Sequence, residues 1–183
     1  NFGWAYCYYD GFQKNRVLPP EYGGDGGKTV GRCASAKAPV AAFGAHFAPT
    51  GLVYYPAGQF PGAYKGGVFI AFHGSWNRAP MPQDGFNITF QPLTNGKASG
   101  PAILFADGFT GPGKASGKAT HRPTGVAVGP DGALYVSDDV EGRIWRITYK
   151  GAANAALTGA KPVVYSAQAV AEAAGPAVKV PTG

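Results

Sequence analysis

Two stretches of this chain carry nearly the same text, Pro49-Thr50-Gly51-Leu52 and Pro123-Thr124-Gly125-Val126. A repeat constrains a fold strongly, because each copy has to be one structural unit that packs on the next. The second copy is the easier to read. Three apolar runs, 125–128, 133–136 and 143–149, follow one another with turn residues between them. Gly129-Pro130-Asp131-Gly132 has Pro and Asp where a type I turn takes them and Gly for positive φ. Asp139-Val140-Glu141-Gly142 ends the second run in the same way. In the third, Ile144, Arg146 and Thr148 alternate with Trp145, Ile147 and Tyr149, the period of a strand with two unlike faces. No helical stripe interrupts the runs, so they form an antiparallel meander.

The first copy is longer. Gly66 to Phe72 stands where Ala133 to Val136 stand, and Gly85 to Phe90 where Arg143 to Tyr149 stand. Ala102-Ile103-Leu104-Phe105 closes copy one, and Pro162-Val163-Val164-Tyr165 is expected to close copy two. Repeated four-stranded meanders read as blades of a β-propeller. The chain is therefore expected to be all-β, a single incomplete propeller domain over 1–183. Within it, 1–44 is a loop-rich start, 45–110 a blade, and 111–183 a blade plus an Ala-rich tail. In that tail Ala167 to Ala174 could form a short helix, ended by Gly175-Pro176.

Composition excludes several classes. The 183 residues suit one domain, and 13% aromatic residues argue against disorder. The 29 Gly and 16 Pro suit short strands joined by turns. No apolar run is long enough to make a membrane-spanning helix. A net charge of +6 invites a nucleic-acid reading, but the 16 basic residues are scattered singly with no stacking motif between them. The charge is more useful as an attraction for an anionic ligand. The start, Asn1-Phe2-Gly3-Trp4, has neither an initiator Met nor a signal-peptide pattern, so the chain is expected to begin mid-structure.

Cys7 and Cys33 are the only cysteines, and an even pair separated by loop residues suits a disulfide; the alternative is two buried thiols. A disulfide would imply an oxidising compartment, periplasmic or secreted. Gly23-Gly24-Asp25-Gly26-Gly27-Lys28-Thr29 resembles a phosphate loop but has Tyr22 where the first glycine belongs. It is expected to be a surface turn.

His46 and His121 precede the two Pro-Thr-Gly strands at nearly matching register, which makes them site candidates. His73-Gly74-Ser75-Trp76-Asn77-Arg78 follows an apolar strand and suits a loop that faces a ligand. No partner carboxylate for a Ser75–His73 hydrolase triad is identifiable in the sequence. Asn87-Ile88-Thr89 fits a glycosylation sequon but lies inside an expected strand. Asp138-Asp139, the adjacent carboxylate pair, could bind Ca²⁺ or do acid–base work, though turn chemistry is the simpler reading.

Several segments together carry a family resemblance. They are Gly3 to Asp10, Val30-Gly31-Arg32-Cys33, Ala45 to Pro49, Gly66 to Arg78 with its His-Gly-Ser-Trp-Asn-Arg ending, Phe105 to Phe109, and His121 to Tyr149. On these the chain resembles the L-sorbosone dehydrogenase-like branch of the glucose/sorbosone dehydrogenase family. The resemblance implies a six-bladed β-propeller, here partial with about two to three four-stranded antiparallel blades. It also implies a pyrroloquinoline quinone (PQQ) cofactor, help from Ca²⁺, and oxidation of a sugar hydroxyl or aldehyde. PQQ is a tricarboxylate and needs cationic donors at its rim. Arg122 matches the family position where an arginine meets the cofactor, and Thr124 stands where the glucose-oxidising relatives have a second one. His46 falls near a polar cofactor contact. His73 and Arg78 flank a position held by lysine in those relatives, and Trp76 could stack on the quinone plane. His121 completes the candidate set.

The resemblance also implies that the general-base histidine and most Ca²⁺ ligands lie outside this chain. The missing blades would then come from another part of the polypeptide or from a second chain, and this chain alone would turn over little or no sugar. A non-catalytic propeller module that binds carbohydrate or protein is the alternative, because fold does not fix function. A propeller lactonase is a third reading, for which 10 acidic residues, mostly in turns, offer little.

Overall fold

The computed structural model describes residues 1–163 apart from 12, 57, 79–81, 153 and 157–160. Its β-strands are β1 (Tyr8–Asp10), β2 (Asn15–Val17), β3 (Pro49–Tyr55), β4 (Gly67–Phe72), β5 (Asn87–Gln91) and β6 (Leu93–Thr94). They continue with β7 (Lys97–Ala98), β8 (Ile103–Ala106), β9 (Pro123–Val128), β10 (Leu134–Asp138) and β11 (Ile144–Ile147). Among the described residues, short 3₁₀ turns are the only helical elements, and no helix is long and apolar enough to cross a membrane.

The meanders form where the apolar runs predict them. Strands β9, β10 and β11 pair antiparallel in sequence, Leu134 opposite both Val128 and Ile147. The turn at 129–132 closes through the Gly132 N–H on the Gly129 carbonyl, 2.9 Å, with Gly132 at φ +79°. Arg146 reaches back to the Asp131 carboxylate, a contact that holds the Asp131 carboxyl below its ordinary range. In the first copy β3, β4, β5 and β8 form a four-stranded antiparallel sheet in that order.

The described residues are all-β, but the expected partial six-bladed β-propeller, with two to three four-stranded blades, is corrected. The described sheets have two, three, four and two strands, so one four-stranded meander exists and its repeat stops at three. The run expected to close copy two goes elsewhere, so far as it is described. Pro162 bridges Ile103 of β8, the Lys161 carbonyl accepts the Leu104 N–H at 3.0 Å, and the Val163 N–H donates to the Ala102 carbonyl at 2.8 Å. The free edge of β8 thus captures this run, and β11 gains no fourth partner among the described residues. The rest of that run and the expected helix at 167–174 lie outside the described residues.

The two larger sheets share one core. Tyr55, Phe69, Ala71, Ile88 and Phe90 from the four-stranded sheet meet Leu134 and Val136 from the three-stranded one. The period-two alternation of β4 sends Val68, Ile70 and Phe72 to the opposite face, where Phe47 and Phe43 cover them. The polar positions of β5 are buried as well. Thr89 satisfies its hydroxyl on the Asn87 side chain, Asn87 donates to the Gly85 carbonyl, and Gln91 donates to the carbonyls of Pro92 and Gly100.

The Pro-Thr-Gly repeat has a packing reason. Strands β3 and β9 lie against each other, and the Thr50 hydroxyl donates to the Thr124 carbonyl at 2.8 Å. A Cβ on Gly51 would stand 2.8 Å from the Thr124 oxygen and 3.0 Å from both Gly125 Cα and Val126 N, all backbone atoms. A Cβ on Gly125 would meet only the Ser137 hydroxyl, at 3.0 Å. Glycine is therefore required at 51 by close backbone approach.

A disulfide joins Cys7 to Cys33 and holds the β1–β2 ribbon to the 3₁₀ turn Gly31–Ser35, with Leu18 and Val30 packed beside it. The Gly-rich loop expected as a surface turn is one. Asp25 Oδ1 accepts the backbone N–H groups of Lys28, Thr29 and Gly27, and these bonds hold its carboxyl at about 2.

Gly51→Ala is expected to cost about 1–3 kcal/mol in urea unfolding, because backbone cannot yield as a side chain can; Gly125→Ala should cost less. Replacing both cysteines by alanine should lower stability by roughly 3 kcal/mol, since the bond closes a 26-residue separation. Unfolding midpoints of the two cysteine states would measure it.

Candidate functional site

At one end of the paired sheets the β4–β5 connection meets the residues that lead into β9. The loop begins where Ala48 and Phe47 end their approach to β3: the His73 N–H donates to the Ala48 carbonyl at 2.9 Å and the Gly74 N–H to the Phe47 carbonyl at 3.0 Å. Gly74 has φ +94°, and a Cβ there would fall 2.2 Å from the Phe86 ring. Glycine between His73 and Ser75 thus gives the chain a left-handed turn and gives Phe86 its seat. Ser75 is fully buried and serves the loop itself. Its hydroxyl accepts the Asp84 N–H at 2.8 Å, and its own N–H donates to the Asp84 carbonyl at 2.9 Å.

Arg122 reaches across from the other sheet. Its Nε donates to the His73 carbonyl at 3.0 Å and its Nη2 to the Gly74 carbonyl at 2.8 Å, with Cζ 5.6 Å from the Phe86 ring centre. The guanidinium therefore staples the two sheets and is held in one orientation by three independent contacts. Among the described residues no carboxylate lies within ion-pair distance of it.

Both aspartates of the adjacent pair belong to this cluster. Asp138 is buried and accepts the Arg122 N–H at 2.7 Å, the N–H groups of Val140 and Glu141, and His121 Nδ1 at 3.0 Å. Burial pushes its carboxyl up, but the backbone N–H groups of Arg122 and Glu141, with His121 and Val140, outweigh that and hold it at about 2. Asp139 is half-exposed, and both its oxygens lie 3.0 Å from His73 Nε2. Turn chemistry accounts for Asp138 in part, as expected. Its grip on His121 and on the Arg122 backbone was not visible in the sequence, because those partners come from the segment that leads into β9.

Of the seven sequence candidates, the structure brings His73, His121, Arg122 and Thr124 together. Thr124 faces inward to the cluster's own backbone, its hydroxyl donating to the Arg122 carbonyl at 3.2 Å. His121 packs edge-on against Trp145, with ring centres 4.9 Å apart. Trp76 follows Ser75 on the same loop and is 74% exposed. His46 is exposed at φ +64°, one residue before the backbone pairing with the loop. Arg78 is set apart. Its guanidinium lies 5.0 Å over the Phe47 ring and donates to the Pro82 carbonyl, and it lines a cavity that none of the other six reaches. Phe86 is the site residue that sequence reasoning missed. A phenylalanine after a glycine carries no signal until the fold lays it under Arg122.

Residues 24–150 match the model of a protein family described as TrAA12-like. An uncharacterized protein of Borreliella burgdorferi is 32% identical over 107 residues, which are 58% of this chain and 27% of that protein. Two solved structures of the Trichoderma reesei Carbohydrate-Active Enzymes Family AA12, a calcium structure and an iodide structure, each align with a TM-score of 0.59 at 22% identity. They cover 79% of this chain and 37% and 38% of their own. At that identity the likeness is one of fold. The chain spans about a quarter of the length of the borrelial relative and under two-fifths of each Trichoderma chain.

These matches correct the resemblance to the glucose/sorbosone dehydrogenase family and its L-sorbosone dehydrogenase-like branch: the family model that covers 24–150 is a different one. A physical reason lies in the motifs themselves. The Gly of the first Pro-Thr-Gly is required by strand approach, the last Gly of Gly-Pro-Asp-Gly by a turn, and the Gly of His-Gly-Ser by a left-handed backbone. Such residues mark a backbone arrangement more than one family's chemistry.

Asp138 gives the cluster a pH signature. Its carboxyl is depressed in the folded protein from the ordinary 3.8, so its stabilising share is present above pH 4 and is lost as pH falls through about 2. A loss of about 2 kcal/mol over that window is expected, and Asp138→Asn should flatten the acid limb of a stability–pH profile. Asp138→Ala, which strands buried donors, should cost about 2–4 kcal/mol at pH 7.

Proposed function

This chain belongs to the TrAA12-like family, and on that footing we propose that it forms part of a carbohydrate-active oxidoreductase in which Arg122 binds an acidic group of a quinone cofactor. The observation that supports this most is the state of that guanidinium. Two carbonyls and the Phe86 ring orient it, its remaining N–H groups have no carboxylate among the described residues, and it is half-buried. A cation so held fits a carboxylate of PQQ, which is the quinone of this reading. When bound, the quinone supplies the two-electron acceptor for oxidation of a sugar or another small polyol or aldehyde.

The chain's own part is recognition and proton handling. With His73 Nε2 bonded to Asp139, its Nδ1 is left as the basic nitrogen, able to take a proton from a hydroxyl. The exposed Trp76 offers a ring face to a sugar or to the quinone. Calcium, in the same reading, takes its ligands largely from outside this chain and its described residues. Among these no group of three or more His, Cys, Asp or Glu side chains stands together. The Cys7–Cys33 bond suits a periplasmic or secreted setting.

A second reading, a non-catalytic carbohydrate-binding module, draws on the pairing of two imidazoles with aspartates and on the openness of Trp76. Titration with PQQ, followed by quinone absorbance, separates the two. A saturable change is expected, with Arg122→Gln weakening it about tenfold or more and Arg122→Lys less so. No absorbance change in a folded chain would sink the cofactor reading and favour the module. Sugar-dependent dye reduction by this chain alone is expected to be slight, because it spans 37% of the Trichoderma chain it aligns with.

A further inference from the structure

A separate concavity of about 660 Å³ lies where the β1–β2 ribbon and residues 40–45 face the end of β5 and the approach to β8. Its volume falls in the range of small-molecule sites. None of His46, His73, Trp76, His121, Arg122 and Thr124 lines it. Alanines and glycines such as Ala42, Ala98 and Gly100 leave much of the wall smooth, and Phe43 adds a ring. A flat apolar body can approach such a wall closely. Tyr8, Tyr9 and Gln91 add polar side chains to the lining, while the alanines, Pro101 and Phe43 form an apolar stretch that offers a sugar's hydroxyls no side-chain hydrogen bond.

The charges in the lining are unequal. Lys14 and Arg78 are cationic, and Asp10 is the one carboxylate. Asp10 is engaged by Gln13, whose N–H and Nε2 donate to its two oxygens at 3.0 and 2.9 Å. Arg78 spends Nη1 on the Pro82 carbonyl at 2.8 Å, and among the described residues neither its buried Nε nor its Nη2 has an acceptor. With Nη2 unspent and the residue only partly buried, the guanidinium can still take a carboxylate. We propose that this cavity binds a small aromatic carboxylate, its ring against Phe43 and the alanine wall, its acid group paired with Arg78 and Lys14. The site is independent of the Arg122 reading and stands or falls without it.

The probe is 2-naphthoate, titrated into the 183-residue chain by calorimetry, with 2-naphthalenemethanol as its neutral counterpart. Saturable one-to-one binding is expected, about tenfold weaker or worse for the alcohol and for Arg78→Gln. Arg78→Lys should recover part of the loss. Ala42→Trp, at an exposed lining position, should abolish binding while leaving the thermal unfolding midpoint unchanged, and Arg122→Gln should leave binding intact. Absence of saturable binding overturns the proposal. So does equal affinity for the alcohol, or binding that survives Ala42→Trp. Loss of binding in Arg122→Gln would move the ligand to the other site and overturn it as well.

Discussion

Strands β3 and β9 come so close that one of them can carry no side chain where they meet. Gly51 faces the backbone of 124–126, and the Thr50 hydroxyl bonds the Thr124 carbonyl across the gap. That contact sets the spacing of two sheets that would otherwise be separate meanders. Tyr55 repeats the link deeper in the core, donating its hydroxyl to the Gly132 carbonyl while accepting the Phe60 N–H. The aromatic cluster of Tyr55, Phe60, Phe69 and Phe90 fills what the backbones leave open. Close-packed interiors transmit small displacements, so the registry of this seam reaches both ends of the sheets.

The Arg122 cluster depends on that seam. Its guanidinium belongs to the three-stranded sheet and its carbonyl acceptors to the four-stranded one, so the staple closes only if both sheets are seated. The His73–Asp139 and His121–Asp138 contacts add a second and a third tie at the same end. Order at the site is thus a consequence of tertiary packing, and the same bonds that stabilise the seam orient the groups proposed to act on a ligand. The cavity beside Arg78 has a different origin. It is walled by the disulfide-held ribbon, residues 40–45, the end of β5 and the approach to β8, and shares no side chain with the staple.

Much of the secondary structure was legible because it is local. The runs at 125–128, 133–136 and 143–149 became strands, and Gly132 took the positive φ that its turn requires. The pairing of the only two cysteines was also open to reading. The four-stranded repeat was not, because strand count depends on which edge captures a segment, and the edge of β8 took Pro162. The family resemblance is misleading for a related reason: residues demanded by backbone geometry carry little of any one lineage's chemistry. The burial of Asn87, Thr89 and Gln91 could not be foreseen, since a polar strand face says nothing of what will cover it.

By itself the sequence determined that the described residues would be all-β, where the strands and turns of the two Pro-Thr-Gly copies would fall, and that Arg122, His46 and His121 would stand near strand entrances, whereas β1 and β2 fall in a stretch expected to be loops. Those properties follow from side-chain periodicity and from the φ angles that Gly, Pro and Asp permit, which act over a few residues. Only the tertiary structure decided which sheet each strand would join, that Phe86 would lie under Arg122, and that Arg78 would turn to a cavity of its own. Those outcomes are set by contacts between residues far apart in the chain, whose partners no local pattern encodes.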